Sequence, residues 1–153
     1  MAKIKQAMWV HGTSVQEERE GYFTSKRRKG FGAVFQTTGT QWFHFAIPTP
    51  IIFDNKNSLI EKIFVYYRTT MNAKITAIHV YDGVVKIHSI DNLALNGDHS
   101  KKITLNHNTW LMNKQHNDHG GLGISVCVDF GDSTPQGVSS ITFCSAGADF
   151  IIT

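Results

Sequence analysis

The sequence predicts an all-β fold, and specifically a two-sheet antiparallel β-sandwich of jelly-roll-like form. Short runs of β-branched and aromatic residues recur along the chain, and turn residues such as Gly, Asn and Asp separate them. Several runs alternate apolar and polar residues, which is typical of strands with one buried face. Helix formers are concentrated only at residues 14–20, between Gly12 and Gly21. A small β-barrel with a ligand cavity is the alternative architecture.

The predicted strands follow these runs in order, and turn residues set their ends. Asp82-Gly83 lies between two runs and predicts a two-residue hairpin turn. Pro48 and Pro50 end the third strand because proline cannot donate to a central ladder. The strands are predicted at residues 6–11, 33–37, 41–47, 60–69, 73–81, 84–89, 101–105, 122–130 and 138–145, with a tenth at 149–152.

Length and charge limit the classes of protein. The 153 residues predict one domain, 1–153, with a core large enough to need no disulfide staples. The formal charge is only +3, and its excess is concentrated at the Lys26-Arg27-Arg28-Lys29 run, which we interpret as a solvated turn. Nucleic-acid proteins usually show a broader basic stripe, so no nucleic-acid partner is expected.

Cysteine content and hydropathy predict a reduced, cytoplasmic protein. Cys127 and Cys144 are too few for a disulfide scaffold and are expected to be thiols. No apolar run approaches the roughly 20 residues that span a membrane, and the first residues lack the apolar region of a secretory signal. Neither a membrane partner nor a cofactor is expected.

The stretch from Trp42 to Ile47 is the most informative part of the chain. Read as a strand, it places Phe43, Phe45 and Ile47 on one face and Trp42 and His44 on the other. An indole and an imidazole are not needed in a core. The same division recurs in later strands, so the pattern indicates a face that binds a ligand.

Strand parity collects polar and aromatic side chains on the side away from the core. If their strands share one sheet, these residues line one concave surface, which is a usual lining of a small-molecule or sugar site. The alternative is an exposed amphipathic sheet face. The residues are Trp9, His11, Trp42, His44, Tyr66, Arg68, His79, Tyr81, Ser125 and Cys127.

Three functions fit such a face. The first is binding of a small ligand, in particular a carbohydrate, in the manner of a lectin. Stacking would come from Trp9, Trp42, Tyr66 and Tyr81, hydrogen bonds from His44, His79 and Arg68, and further lining from His11 and Ser125. A shallow open groove would favour this function.

The second function is a cofactor-independent lyase, isomerase or cyclase. His44 or His79 would act as base and Tyr66 or Tyr81 as acid, and a deep enclosed pocket would favour it. The third is a structural or assembly protein whose flat apolar face pairs with another subunit. A homo-oligomer is therefore one of the expected alternatives.

Two further kinds of site, a histidine metal site and a cysteine nucleophile, are less favoured by the sequence. His11, His44 and His79 on three strands could approximate a three-imidazole metal site, but no two share the close spacing of a metal-binding strand, and no metal is predicted. Cys127 projects beside Ser125 as a possible nucleophile, but a small apolar filler is the favoured interpretation. His116 and His119 lie in a polar, Asn-rich stretch at 106–119 that we interpret as a solvated loop.

Five segments together resemble a family of small, uncharacterised bacterial proteins that is grouped as a domain of unknown function. The resemblance implies a single complete bacterial β-sandwich domain and brings no activity or site. It also implies a small residue where Cys127 stands, which argues against a catalytic thiol. The segments are Trp9-Val10-His11-Gly12, residues 42–50 with the specific Phe-His-Phe-Ala-Ile-Pro-Thr-Pro pattern, His79-Val80-Tyr81-Asp82-Gly83, residues 121–126, and residues 145–150.

Overall fold

The computed structural model describes residue 4 and residues 6–116 and 120–152. Within these residues the chain forms fourteen strands and one 3-10 turn, Gly12–Ser14, which confirms the all-β prediction. No helix of this part of the chain is long and apolar enough to cross a membrane. The strands are β1 (Gln6–His11), β2 (Gln16–Glu17), β3 (Ser25–Lys29), β4 (Gly32–Gln36), β5 (Thr40–Ile47), β6 (Ile52–Phe53), β7 (Lys56–Asn57), β8 (Leu59–Thr70), β9 (Lys74–Asp82), β10 (Val85–Ile90), β11 (Asp98–His99), β12 (Thr109–His116), β13 (Leu122–Asp129) and β14 (Ser140–Ile151).

Two antiparallel sheets pack against each other to form the fold. The large sheet has the order β11-β8-β14-β4-β3, with β1 beside β14 and β12 beside β8. The small sheet has the order β10-β9-β13-β5-β2, and β6 and β7 form a separate hairpin. The sheets are not closed into a barrel, so the sandwich prediction is confirmed and the barrel alternative is wrong.

Phenylalanine rings from both sheets meet at the centre of the core. Phe43 of β5 lies 4.8 Å from Phe35 of β4 and 4.9 Å from Phe143 of β14, measured between ring centroids. Phe45 lies 5.6 Å from Phe143 in an edge-to-face arrangement. All four side chains are at most 1% exposed. Because both residues of β5 point inward, the intervening His44 must point outward.

β13 is the middle strand of the small sheet, as its unbroken alternation predicts. It pairs with β5 on one side and with β9 on the other over its whole length. Its inward residues Ile124, Val126 and Val128 are fully buried, and Phe130 is buried just beyond the strand. The small sheet therefore has a rigid centre, and the side chains on its outer face are held by this strand and its two neighbours.

Two expectations about local structure were wrong, and one short strand was not predicted. The basic run at 26–29 is not a turn but lies within β3, an edge strand whose charges hinder edge-to-edge pairing. Residues 101–105 form no strand, and β11 stands before them. The helix-forming stretch at 14–20 contains the short strand β2, because its backbone pairs with the outer side of β5.

The polar stretch at 106–119 is also not a simple loop. It contains β12, which pairs with β8 and directs Trp110 into the core, where that indole is 4% exposed. Met112 is fully buried on the same side. Residues 117–119 lie outside the described residues, so the expectation for His119 is not addressed.

The two cysteines belong to different sheets, Cys127 to β13 and Cys144 to β14. Both are free thiols, in agreement with the expectation of reduced cysteines. The strands that carry them do not pair, so the two residues are not neighbours within a sheet.

The runs at 138–145 and 149–152 join into one strand, β14, whose register shifts between Phe143 and Ser145. Gly12 packs against this irregularity. A Cβ atom at Gly12 would lie 1.9 Å from the backbone oxygen of Phe143, so only glycine allows the approach. The turn after β1 is thereby pressed against β14.

We predict that Gly12→Ala lowers the free energy of unfolding by about 1–3 kcal/mol, the usual cost of overpacking. Gly30→Ala is the control, because a Cβ there meets nothing within 4 Å. Urea denaturation measures both variants. Equal midpoints for the two would contradict the proposed close contact.

Glu17 joins the edges of the two sheets. Its side chain in β2 is 6% exposed, and its carboxylate oxygens lie 2.8 Å from Lys26 Nζ and 3.4 Å from Arg28 Nη2, both of β3. Burial raises the pKa of Glu17, but the hydrogen bond and charge of Lys26, a backbone hydrogen bond and the hydrogen bond of Arg28 together outweigh it and bring the pKa below its ordinary value. A carboxyl with a lowered pKa stabilises the fold above its unfolded pKa and loses this effect as the pH falls through its folded pKa.

We therefore predict that Glu17→Gln destabilises the protein at neutral pH by about 1 kcal/mol, the scale of a partly exposed ion pair. The difference from wild type should shrink as the pH falls below the unfolded pKa of about 4.3 and through the lower folded pKa, because Glu17 is protonated in both the folded and the unfolded protein only below both values. Urea denaturation across this pH range measures it. Glu20→Gln, at an exposed position, is the control, and an equal pH dependence for both variants would refute the role of Glu17.

Candidate functional site

The outer face of the small sheet carries a trough along β13. Its floor consists of small side chains from β13, and its walls consist of large side chains from the two neighbouring strands. Each floor residue pairs in register with one residue on each neighbour. The floor is Gly123, Ser125 and Cys127, one wall is Tyr81 and His79 of β9, and the other is Trp42 and His44 of β5. We call these residues the trough.

The trough is an open depression and not an enclosed pocket. One part has a volume of about 330 Å³ and is lined by Glu18, Trp42, His44, His79, Tyr81 and Ser125. A second part of about 420 Å³ shares His44 and continues over Gly123 to the Gly120-Gly121 loop. A Cβ at Gly123 would make only ordinary contacts of 3.8 Å or more, so the space above this position is free.

His44 is held at both ring nitrogens. Its Nδ1 lies 2.8 Å from Ser125 Oγ, and its Nε2 lies 3.2 Å from Glu18 Oε1. A carboxylate can only accept, so Nε2–H donates to Glu18, and in the neutral ring Nδ1 accepts the hydroxyl proton of Ser125. The imidazole is thus fixed in orientation although its side chain is 40% exposed.

His79 is held in a similar way on the other wall. Its Nε2 lies 2.9 Å from Asp91 Oδ1, and its ring lies 4.9 Å from the Trp42 ring at a tilt of 47°. The hydrogen bond from His79 is the main cause that lowers the pKa of Asp91 below its ordinary value. Trp42 and His79 therefore contact each other across the floor, because they stand on the two strands that flank β13.

The structure brings together five of the predicted site residues, Trp42, His44, His79, Tyr81 and Ser125. It places the other four, Trp9, His11, Tyr66 and Arg68, on the outer face of the large sheet, on β1 and β8. The expectation of one shared surface is therefore wrong, because β1 and β8 both pair with β14. A site of three imidazoles is not assembled either, since His11 lies on the other sheet.

Sequence reasoning missed two carboxylates of the site. Glu18 follows β2 and lies in the stretch that was read for its helix formers, so no signal pointed to it. Asp91 could not be found from the predicted hairpin, because a turn at Asp82-Gly83 would place residue 86 opposite His79. The observed turn is one residue later, at Gly83-Val84, and a bulge then brings Ser89 opposite His79, two residues before Asp91. Cys127 is 7% exposed, and burial raises the pKa of its thiol, which agrees with a filler and not with a nucleophile.

The chain belongs to the protein family DUF6623, a family of unknown function whose model matches residues 3–151. This confirms the resemblance to an uncharacterised family. The chain matches no curated protein in sequence.

Two solved structures have a similar fold. One is TmCBM61 in complex with β-1,4-galactotriose, with 12% identity and a TM-score of 0.49 over 91% of this chain and 86% of that chain. The other is the xylan-binding module CBM15, with 12% identity and a TM-score of 0.48 over 94% of this chain and 95% of that chain. At these TM-scores neither likeness carries an argument about function.

The contact between His79 and Asp91 gives a prediction about titration. In His79→Ala the pKa of Asp91 should rise toward that of an ordinary aspartate, because its main hydrogen-bond donor is lost. Carbon-13 NMR of the carboxyl groups as a function of pH measures the change. An Asp91 titration that is identical in wild type and variant would show that the contact does not form in solution.

Proposed function

We propose that the trough binds a carbohydrate. The observation that carries the proposal is an open depression in which aromatic rings and polar groups alternate across three neighbouring strands. Trp42 and Tyr81 supply apolar ring surface, and His44, His79 and Ser125 supply polar atoms between them. A binding module needs no more than this.

Sugars combine apolar C–H faces with hydroxyl groups that both donate and accept hydrogen bonds. Aromatic rings suit the first property, and a mixture of donors and acceptors suits the second. Glu18 supplies acceptors at the rim, and Ser125 Oγ can accept while its proton goes to His44. With Nε2–H of His79 donating to Asp91, its Nδ1 can also accept, and the Tyr81 hydroxyl can donate or accept. A ligand that is purely apolar or purely charged would leave half of these groups without partners, which is costly in a binding site.

An enzyme that acts by nucleophilic attack is less well supported. The chain of hydrogen bonds from Ser125 through His44 to Glu18 has the order of an activated nucleophile. However, β13 pairs with strands on both sides, so the backbone N–H groups around Ser125 are engaged in the ladder. They therefore cannot supply the backbone donors that commonly stabilise the oxyanion in such chemistry. The open trough also does not exclude water.

A second candidate is an acid–base enzyme such as a lyase, isomerase or cyclase. It is favoured by one observation, that two imidazoles with carboxylate partners, His44 with Glu18 and His79 with Asp91, face the same depression. Tyr81 lies on the same wall and could act as an acid. This proposal requires turnover of a bound sugar, which a binding module does not show.

The test uses a glycan array followed by calorimetry with the saccharide that is retained best. Trp42→Ala should weaken binding by about 1–3 kcal/mol, the scale of a lost aromatic anchor. Gly123→Leu should abolish binding, because its side chain would fill the free space on the floor without strain in the strand. Gly30→Leu is the matched control, since it places the same side chain in open space away from the trough.

Two outcomes would refute the proposal. One is that no saccharide is retained by the wild-type protein. The other is that Gly123→Leu binds as tightly as wild type, which would place the ligand elsewhere. If the retained saccharide is converted to a product and His44→Ala stops conversion while binding persists, the acid–base enzyme replaces the binding module.

A further inference from the structure

The edge strand β3 divides its four cations between two sides. Lys26 and Arg28 point toward β2 and pair with Glu17, and Arg28 also donates to the backbone oxygens of residues 13 and 15. Arg27 and Lys29 alternate with them and therefore point to the outer face of the large sheet. Neither of these two takes part in any salt bridge formed within the described residues.

A second cation, Arg68, lies on the same outer face and in the same row of paired residues as Arg27. Arg27 pairs in register with Val34, Val34 with Thr142, and Thr142 with Arg68. Residues directly opposite on neighbouring strands share a face. Arg27 and Arg68 thus stand three strands apart in one row, about 14 Å at the usual spacing of about 4.8 Å.

An exposed phenylalanine ring contacts two cations of this face, Lys29 and Arg68. Phe31 is 47% exposed, although it is a large apolar side chain. The guanidinium carbon of Arg68 lies 4.9 Å from its ring centroid, and Lys29 Nζ lies 5.9 Å from it. The ring keeps the two cations in place by cation–π contacts. This end of the face therefore has an excess of positive charge, with three cations and one carboxylate, Asp98, which pairs in register with Arg68.

An indole lies flat on the sheet further along the same face. Trp9 of β1 reaches over Gly147 of β14, where a Cβ would lie 2.6 Å from the indole. It stacks on Phe64 of β8 at 4.6 Å and 27°, and Tyr66 meets it edge-on at 5.1 Å. Trp9 remains 38% exposed, so it forms a platform over a buried ring.

A carboxyl group follows at the far end. Asp149 pairs with Ala7 of β1 and with Lys62 of β8, one row of outward residues beyond Trp9. It is 7% exposed, and burial raises the pKa of its carboxyl above the ordinary value. Such a group can accept a hydrogen bond from a ligand hydroxyl, or donate one when protonated.

We propose that this outer face is a second binding site, for an oligosaccharide that contains uronic acid. Carboxylates of successive uronic acid units would bind the cations Arg27, Lys29 and Arg68, since a guanidinium matches a carboxylate in charge and geometry. A neighbouring sugar ring would stack on Trp9 beside Tyr66. A hydroxyl group beyond it would reach Asp149. The site does not use the trough, so it is independent of the function proposed there.

The order of charges on this face favours an acidic sugar over a nucleic acid. Arg27, Lys29 and Arg68 lie at one end, with Asp98 opposite Arg68. The middle carries the aromatic rings, and at the far end Asp149 lies opposite Lys62. A nucleic acid carries a phosphate on every unit, and some of these would lie on the aromatic part or beside Asp149. A sugar chain offers hydroxyl groups there, which can donate to that carboxyl group.

The test is calorimetry of the full chain with oligogalacturonate and oligomannuronate, each compared with its methyl ester. The ester keeps the sugar chain and removes its charge. We expect at least one of the two acids to bind about tenfold or more tightly than its ester, with an affinity that falls as salt is added. Arg68→Gln should weaken this binding about tenfold, and Arg68→Lys less.

Two control variants and one further test variant show where the ligand binds. Lys26→Gln makes the same change of charge on the other side of β3 and should leave binding as in wild type. Gly123→Leu blocks the trough and should also leave it unchanged. Trp9→Phe keeps an aromatic cover over Phe64 and should weaken binding severalfold, and circular dichroism melting verifies that each variant is folded.

Several results would overturn the proposal. These are equal affinity for acid and ester, no binding of either acid, or equal losses in Lys26→Gln and Arg68→Gln, which would show an effect of net charge alone. Loss of acid binding in Gly123→Leu would place the ligand in the trough. Displacement of the bound acid by polyuridylate at a comparable concentration would identify a nucleic-acid surface instead.

Discussion

The register of β5 is fixed by the phenylalanine rings that join the two sheets. Phe43 and Phe45 pack against Phe35 and Phe143, and this contact leaves one orientation for the strand. A shift by one residue would bring His44 into the core and turn both rings to the solvent. The polar wall of the trough is therefore a consequence of core packing.

Strand parity could be predicted because it is a local property. The alternation in β5, β9 and β13 gave the outward direction of Trp42, His44, His79 and Ser125, since a strand repeats every two residues. Membership in a sheet is not local. β1 and β8 belong to one sheet because both pair with β14, which is distant from both in sequence, and so Trp9 and Tyr66 could not be separated from the trough by pattern alone.

The edge strands β2 and β3 could not be predicted from the sequence for a related reason. β3 is held by backbone pairing to β4 and by the contact with Glu17, whereas its side chains have the composition of a solvated turn. β-propensity scales favour residues that pack on a half-buried sheet surface. The charged residues of an exposed edge strand such as β3 have low β-propensity, so the scale does not predict a strand there. Glu18 was missed for the same reason. It directly follows β2, a strand of two residues that can be identified only from its pairing with β5.

The three tryptophans lie in three different environments: the outer face of the large sheet, the core, and the outer face of the small sheet. Trp9 lies on the outer face of the large sheet and is 38% exposed, Trp110 is 4% exposed in the core, and Trp42 lines the trough. The intrinsic fluorescence of this protein is thus a sum of three environments that differ in polarity. Acrylamide would quench Trp9 readily and Trp110 hardly at all, so emission spectra of single-tryptophan variants would report separately on each face and on the interior.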